Sequence, residues 1–448
     1  MITRLKLLIL LLVLSFSGEP TTALAQSDFD ADTVDEDEEE VKVKKKKRKK
    51  RKKRRKRKKR YKPSYYSSLG LGKTLPAGFY RFRGVTKISQ GSTGYDSSGK
   101  SVDQGFDLSV LSHGLVTEYG MSENLSFQLL IPYISKNSLG FNPNKFKQSA
   151  AFSELESQYQ RLLAGTMIQQ GLCDSAEECL STPLDNNLTL PLPTGETTTL
   201  PAGVVPAQAI PNLISDGAKP ADGATGIGDV DFGILYTVLS GEKYNFSIGT
   251  GVRLPVGDFE SVPAAQRPTG EGLMQGAIRL NYDYHPVPAL WLAVQNQSEF
   301  TLLDGRRKKS SLLDPNQLNE GDPTSDIAIA AGSDGSPNDQ TVTKKGITNV
   351  GMFRADLGLS NLGLFFQPIA VETSINYKFG ADTYYGDQVE VPGPEYLTFG
   401  YGFKYDGLGL KRPFPGYFKL NREIFISGKN VPLAPNSVTI EFALYESF

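Results

Sequence analysis

The chain ends in Ser437-Val438-Thr439-Ile440-Glu441-Phe442-Ala443-Leu444-Tyr445-Glu446-Ser447-Phe448, where two kinds of residue alternate. Successive side chains of a strand point to opposite faces. One face would therefore carry the apolar residues Val438, Ile440, Phe442 and Leu444, with Phe448 at the end. An apolar face, a mainly polar face and a terminal aromatic residue are typical of the closing strand of a membrane barrel, although Glu446 departs from that pattern. The alternative is an amphipathic strand of a soluble sheet.

The first 25 residues have the features of an export signal peptide. Arg4 and Lys6 supply positive charge, an apolar run of 10 residues follows from Leu7 to Phe16, and Ala23-Leu24-Ala25 provides a small-residue cleavage site. A helix that spans a bilayer needs roughly 20 apolar residues, and the later sequence has no such run. In a membrane, the mature chain would therefore have to form a closed barrel, because only helices and closed barrels pair their backbone polar groups in lipid.

The formal net charge of zero hides a strong asymmetry. Residues 28–40 contain nine acids, and residues 42–62 contain nineteen bases, including an uninterrupted charged run from Lys44 to Arg60. Like charges at this density repel one another and cannot form a packed core. We therefore expect residues 26–75 to be a disordered acidic and polybasic arm that precedes a barrel over residues 76–448.

Residues 76–448 contain about twelve segments with alternating apolar and polar residues. They lie near residues 77–89, 105–119, 125–135, 227–239, 244–256, 272–284, 289–302, 348–359, 364–379, 395–405, 416–427 and 437–448. Short turns and longer loops alternate between them, as in outer-membrane barrels, whose short turns are periplasmic. The sequence thus predicts an all-β fold, a transmembrane antiparallel up-and-down β-barrel of about 12 strands (range about 10–14), in the outer membrane of a Gram-negative bacterium. The amino-terminal arm would then be periplasmic.

Charged residues on the polar faces of these segments are the candidate functional residues, because rings of charge set selectivity in pores. The predicted lumen-lining residues are Asp229, Asp231, Arg253, Arg279, Asp283, Glu299, Arg354, Asp356, Glu372, Lys378 and Lys404. If a pore exists, we expect Asp229 and Asp231 to line it. About eight strands are just filled by side chains and about sixteen leave an aqueous channel, so both a wet channel and a salt-bridged interior remain open.

The longest predicted loop spans residues 136–226 and is too long for a plain connection. A helix is predicted from Ala151 to Ile168, with Phe152, Leu155, Tyr159 and Leu162 on one stripe, and we expect it to cover or enter the barrel mouth. Cys173 and Cys179 follow this helix. In an oxidising compartment a disulfide that closes this short loop is expected, and metal binding by two cysteines without a nearby histidine is not.

Several segments resemble the family of outer-membrane proteins named for the meta-pathway of phenol degradation. In order, they are Leu75-Pro76-Ala77-Gly78, Glu118-Tyr119-Gly120-Met121-Ser122-Glu123-Asn124-Leu125-Ser126, Ile131-Pro132-Tyr133, Thr225-Gly226-Ile227-Gly228-Asp229-Val230 and Leu254-Pro255-Val256-Gly257-Asp258. They cover most of residues 75–260, and the later half matches only as a strand pattern. The resemblance implies an outer-membrane barrel that passes or takes up small, often hydrophobic, molecules.

An enzymatic role is not expected. Acyl transfer would need a paired serine and histidine, but Ser112 and His113 are neighbours on one strand and point to opposite faces. His285 lies in a short turn next to Pro286. The sequence shows no cofactor motif, so we expect neither a cofactor nor a metal ion.

The expected partners follow from the same features. Outer-membrane lipid would surround the barrel, and the barrel-assembly machinery would recognise the carboxyl-terminal strand. The run from Lys44 to Arg60 would bind anionic cell-wall or lipid groups, whereas specific nucleic-acid recognition is not expected because aromatic residues do not interleave with the bases. Two functions are therefore predicted: an outer-membrane channel or transporter for small, including hydrophobic, molecules, or a structural barrel that anchors the polybasic arm.

Overall fold

The computed structural model describes residues 73–448, except 104, 170, 192–196, 218–220, 263–265, 288, 309–338, 360–361, 363–367, 387, 408–413 and 448. The predicted signal peptide, the acidic block, the run from Lys44 to Arg60 and the terminal Phe448 therefore lie outside the described residues.

Twelve long strands form a single antiparallel sheet. They are β1 (Phe79–Gly91), β2 (Phe106–Ser122), β3 (Leu125–Phe141), β4 (Val230–Ser240), β5 (Tyr244–Leu254), β6 (Met274–Val287), β7 (Leu290–Leu303), β8 (Thr348–Gly358), β9 (Ile369–Phe379), β10 (Glu395–Asp406), β11 (Gly416–Lys429) and β12 (Asn436–Ser447). Each of the predicted segments corresponds to one of these strands, with bounds that differ by a few residues.

The sheet closes on itself. Every strand pairs with the next along the chain, and β1 also pairs with β12 from Phe79↔Ser447 to Gln90↔Asn436. The weakest pairing in the wall is β3 with β4, which extends only from Leu125↔Tyr236 to Leu130↔Asp231. Beyond it, a two-residue strand, Gly226–Ile227, pairs with β3. The prediction of a closed twelve-stranded antiparallel barrel is confirmed.

The two faces of the wall differ as the alternation predicts. The exposed large apolar residues on the outer face include Ile248, Ile278, Leu280, Tyr282, Phe399, Tyr401, Phe403, Ile440, Phe442 and Leu444. In β5 these alternate with the buried residues Asn245 and Ser247. The β2–β3 register shifts between Leu111 and Ser112, because Ser135 of β3 has no partner on β2 at this point. A bulge of this kind moves the following side chains to the opposite face.

The connections of two or three residues all lie at one end of the barrel, which we call the short-turn end, together with the β8–β9 and β10–β11 connections. The longest connections lie at the other end, the long-loop end, which also holds the shorter β11–β12 connection of residues 430–435. A four-stranded sheet at the long-loop end consists of Gly305–Lys308, Asp339–Lys345, Asp382–Tyr385 and Gln388–Val391. Two hairpins, Gly94–Tyr95 with Ser101–Val102 and Leu188–Pro191 with Thr197–Leu200, complete the loops.

Four helices form a cap on the β3–β4 connection: α1 (Pro143–Phe146), α2 (Ala150–Gln169), α3 (Ala176–Ser181) and α4 (Pro206–Gly217). The Asn142 side chain accepts hydrogen bonds from two backbone N–H groups of the first turn and so begins α1. Buried cap residues include Phe152, Tyr159, Leu163, Met167, Ile210 and Ile214, and they pack against Phe106 and Phe141 at the ends of β2 and β3. The predicted helix 151–168 corresponds to α2, although the side chains of Leu155 and Leu162 lie outside the described ones. Within the described parts of the chain, no helix combines the length and apolar character needed to cross a membrane.

Phe442 provides a test of the outer face. It is 46% exposed and pairs with Gly84 and Phe418 near the middle of β12. A lysine facing lipid near the bilayer midplane costs about 2–4 kcal/mol, so Phe442→Lys should lower the free energy of unfolding in lipid vesicles by that amount. Phe442→Leu, which keeps an apolar side chain, should cost less than about 1.5 kcal/mol. Guanidinium unfolding followed by the fluorescence of the single tryptophan, Trp291, measures both, and equal costs would contradict a lipid-facing Phe442.

Candidate functional site in the barrel interior

The inner face of the wall carries most of the charge of the strands. The predicted residues Asp231, Arg253, Arg279, Asp283, Glu299, Arg354, Asp356, Glu372, Lys378 and Lys404 all lie at inward positions of their strands. Asp229 immediately precedes β4 at the long-loop end. Most of these side chains pair with one another or with charges that the sequence analysis did not select.

The main cluster that the sequence analysis missed lies in the short-turn half. Glu118 bonds to both Arg81 and Arg83, and it lies 2.7 Å from the Arg83 Nη2 atom. Arg83 also reaches Glu441 at 3.2 Å, and the Tyr417 hydroxyl donates to the same Glu441 carboxylate at 2.5 Å. One network therefore joins β11 and β12, at the end of the chain, to β1 and β2 across the barrel seam. The sequence contained a sign of this cluster, because Arg81 and Arg83 lie two residues apart in the predicted first strand and therefore share one face.

A second set of ion pairs lies on β8–β11. Arg354 contacts Asp356 at 3.3 Å along the same strand. The Lys419 Nζ atom lies 2.7 Å from Glu372, and both side chains are largely buried. The Lys404 Nζ atom lies 3.9 Å from the Asp406 carboxylate and 4.5 Å from the centre of the Tyr417 ring. Buried charges are tolerated when paired in this way, because an isolated charge in a protein interior costs several kcal/mol.

The long-loop half contains a third charged cluster. Arg253 donates to Asp231 at 2.7 Å and lies 3.7 Å from Glu299. Near it, the Lys344 Nζ atom lies 2.7 Å from Glu271. Burial alone would raise the pKa of Glu271, but the neighbouring Lys344 holds that pKa below its usual value. This carboxylate therefore stays ionised at neutral pH.

Asp229 holds the loop ends together. Its carboxylate accepts hydrogen bonds from the backbone N–H groups of Gly257 at 3.2 Å and Glu271 at 2.6 Å. A Cβ on Gly270 would lie 2.2 Å from the Asp229 carboxylate, so this position needs glycine. Asp229 is buried, and desolvation raises its pKa above the usual value. The segments Gly228-Asp229 and Gly257-Asp258 of the sequence thus meet here. Asp229 binds backbone N–H groups, whereas Asp231 pairs with the lumen residue Arg253.

In the described part of the chain, two cavities contact the charged clusters. The larger, about 310 Å³, lies in the short-turn half and contacts the clusters of Glu118, Glu372 and Glu441. The smaller, about 100 Å³, lies against a stretch of wall with little side-chain volume. That stretch includes Gly233, Gly249 and Gly251, and a Cβ on Gly251 would lie 2.8 Å from the Phe232 carbonyl oxygen. The interior is therefore not completely filled by side chains.

A short segment before β1 lines the larger cavity at the short-turn end of the barrel. The backbone N–H of Leu75 donates to Ser126 Oγ at 2.8 Å, and that of Thr74 donates to Thr237 Oγ1 at 3.2 Å. Thr74 and Leu75 are each 5% exposed and line the cavity. The predicted arm ends at residue 75, but in the structure polar groups on the inner face of β3 and β4 bind Thr74 and Leu75. We call Lys73–Pro76 the mouth segment.

Gly120 permits this arrangement. The N–H of Gly78 donates to the Gly120 carbonyl at 2.8 Å, and a Cβ on Gly120 would lie 2.0 Å from the Pro76 carbonyl oxygen. Only glycine therefore lets the mouth segment lie this close to β2. This gives a physical reason for the tyrosine-glycine turn singled out in the sequence.

The remaining candidates lie outside the interior. Cys173 and Cys179 form a disulfide in the cap, with Cα atoms 5.4 Å apart. His113 bonds to Thr86 and Ser135 on the wall, at 3.1 Å each, and not to its neighbour Ser112. In the described part of the chain, no group of three or more His, Cys, Asp or Glu side chains could hold a metal ion.

No protein-family model matches the sequence, and no curated protein is significantly similar to it. Among solved structures, the chain is similar to an outer membrane channel from Pseudomonas putida F1, with a TM-score of 0.50 and 10% identity over 84% of this chain and 99% of that chain. The toluene transporter TbuX from Ralstonia pickettii aligns with a TM-score of 0.33 and 9% identity, over 84% of this chain and 90% of that one. The toluene transporter TodX from Pseudomonas putida aligns with a TM-score of 0.32 and 9% identity, over 86% and 93%. The first likeness supports the barrel fold.

The Glu118 network predicts a large stability cost for a single substitution. Glu118→Gln would leave Arg81 and Arg83 without their shared carboxylate, and removing one partner from a buried ion pair costs about 3–5 kcal/mol. We expect a loss of this size in the free energy of unfolding, measured by guanidinium titration in vesicles. Asp107→Asn, at an exposed position of the same strand, is the control and should change the stability little. Equal effects of the two substitutions would show that the network does not stabilise the barrel.

The mouth segment predicts a difference between two deletions. Deletion of residues 26–75 removes Thr74 and Leu75 from the cavity, whereas deletion of residues 26–62 removes the charged blocks and leaves the mouth segment in place. If the protein conducts, single-channel conductance in a planar bilayer should rise for the first deletion and stay near the full-length value for the second. A rise for both would assign the obstruction to the charged blocks instead.

Proposed function

We propose that the protein is an outer-membrane channel or transporter that passes small molecules by passive or facilitated diffusion. One observation carries the proposal: a closed barrel with an apolar outer face encloses a charged, hydrogen-bonded interior that retains a cavity of about 310 Å³. An apolar outer face on a closed barrel suits lipid. A polar interior with unfilled volume suits the passage of solutes. The proposal assigns no catalytic activity to the chain.

The size and charge of the interior limit the solute. A cavity of about 310 Å³ is at the lower end of the range of small-molecule sites, about 300–1,000 Å³. The resemblance to the family named for phenol degradation implies small, often hydrophobic, solutes. The neighbouring structures include a monoaromatic hydrocarbon channel and two toluene transporters.

The proposed topology follows from the loop lengths. Short turns are periplasmic in outer-membrane barrels, so the cap and the four-stranded sheet would be extracellular and the mouth segment periplasmic. The arm from residue 26 would then meet anionic groups of the cell wall or inner leaflet through Lys44 to Arg60. The strand β12 would present Val438, Ile440, Phe442 and Leu444 to the barrel-assembly machinery and to lipid.

The proposal predicts conductance. The purified mature protein, refolded in detergent and shown to be folded by its heat-dependent gel mobility, should give stable current steps in a planar bilayer. Because the larger cavity contacts the Glu372–Lys419 pair, Glu372→Gln should change the ratio of anion to cation permeability in the anion direction. Lys136→Gln, in β3 but not among the residues that contact either cavity, is the control.

Silence from folded protein, with and without residues 26–75, would argue against a channel for ions. It would support the other predicted function, in which the barrel anchors the polybasic arm. Co-sedimentation of the protein with purified cell wall, measured at low and high salt, then tests that alternative directly.

A further inference from the structure

One lumen arginine differs from all the others on the strands. The inward arginines Arg81, Arg83, Arg253 and Arg354 each lie within ion-pair distance of a carboxylate. Arg279, on β6, donates from Nε to the neutral side chain of Gln297 at 2.7 Å, and no carboxylate of the described residues lies within ion-pair distance of it. Its Nη atoms thus remain available to another acceptor.

Arg279 also lies where the two cavities adjoin. Among the inward-facing side chains that the structure describes, only Gln128, Leu235 and Arg279 contact both cavities. Gln128 is half-buried, and its amide makes no hydrogen bond to any described residue. A cation, a free amide and an aliphatic side chain therefore meet where the two cavities adjoin.

These three side chains suit a small carboxylate with an apolar body. A guanidinium binds a carboxylate through parallel N–H donors, and such charge-assisted hydrogen bonds are stronger than neutral ones. The Gln128 amide could donate to the same oxygen atoms, and Leu235 could contact the hydrocarbon part of the solute. A neutral hydrocarbon would leave both polar groups without a partner, which is unfavourable in a partly dry interior.

We propose that Arg279, with Gln128 and Leu235, forms a binding site for small organic carboxylates within the barrel. This inference rests on the proposed channel function and names its solute class. The Gln297 side chain holds the guanidinium by accepting a hydrogen bond from Nε at 2.7 Å.

Equilibrium binding tests the site without requiring current. Isothermal titration of benzoate into the full mature protein in detergent should show binding, and the neutral isostere benzamide should bind at least about tenfold more weakly. Arg279→Gln should weaken benzoate binding about tenfold or more and leave benzamide unchanged, while Arg279→Lys should restore part of the benzoate affinity. Lys87→Gln removes one positive charge from the same lumen but contacts neither cavity, so it should stay within about twofold of the parent.

Conductance separates the two proposals. If the protein conducts, benzoate should reduce the single-channel current of the parent at lower concentration than that of Arg279→Gln. Equal benzoate affinity in the parent and in folded Arg279→Gln, or equal binding of benzoate and benzamide, overturns the site while leaving the channel intact. Benzoate binding that depends on Arg279 in a protein that never conducts would instead count against the channel and keep the site.

Discussion

The hydrogen-bonded seam between β1 and β12 is the constraint on which the rest of the structure depends. Water is absent from the bilayer core, so an unpaired strand edge there would leave a row of N–H and C=O groups without partners. Twelve residue pairs from Phe79↔Ser447 to Gln90↔Asn436 remove that edge. Closure also assigns every side chain to lipid or lumen. The alternation of the apolar residues Val438, Ile440, Phe442 and Leu444 with a mainly polar inner face follows from this.

Closure also encloses the polar inner face, so its charged side chains are partly removed from water. These side chains form ion pairs across strands. Glu118 of β2 pairs with two arginines of β1, and Lys419 of β11 pairs with Glu372 of β9. Each pair satisfies charges whose isolated burial would cost several kcal/mol. Volume is then left where side chains are small, beside Gly249 and Gly251. The interior charge therefore stabilises the wall first, and only a residue outside these pairs, such as Arg279, is available to a solute.

Periodicity predicted the fold because it is a local property. An alternation of two residues along each strand decides which side chains face inward, and so Arg253, Arg354 and Glu372 could be assigned to the lumen from sequence. Their partners could not, because the pairing of Arg83 with Glu441 joins residues 358 positions apart and depends on the register of the closing seam. The same limit applies to Asp229. Its backbone partners Gly257 and Glu271 lie on a loop whose path no periodicity describes.

The mouth segment is held less firmly than the barrel wall. The wall is held by networks of ion pairs and by continuous strand pairing, and moving it would break many contacts together. The mouth segment is held by the two backbone bonds of Thr74 and Leu75, by the Thr74 hydroxyl and by burial of one leucine side chain. A net hydrogen bond contributes about 0.5–1.5 kcal/mol and a buried leucine about 1.5–3 kcal/mol, so its release costs only a few kcal/mol. Local opening of that size lies below global unfolding, so the mouth segment can leave the cavity while the barrel stays folded.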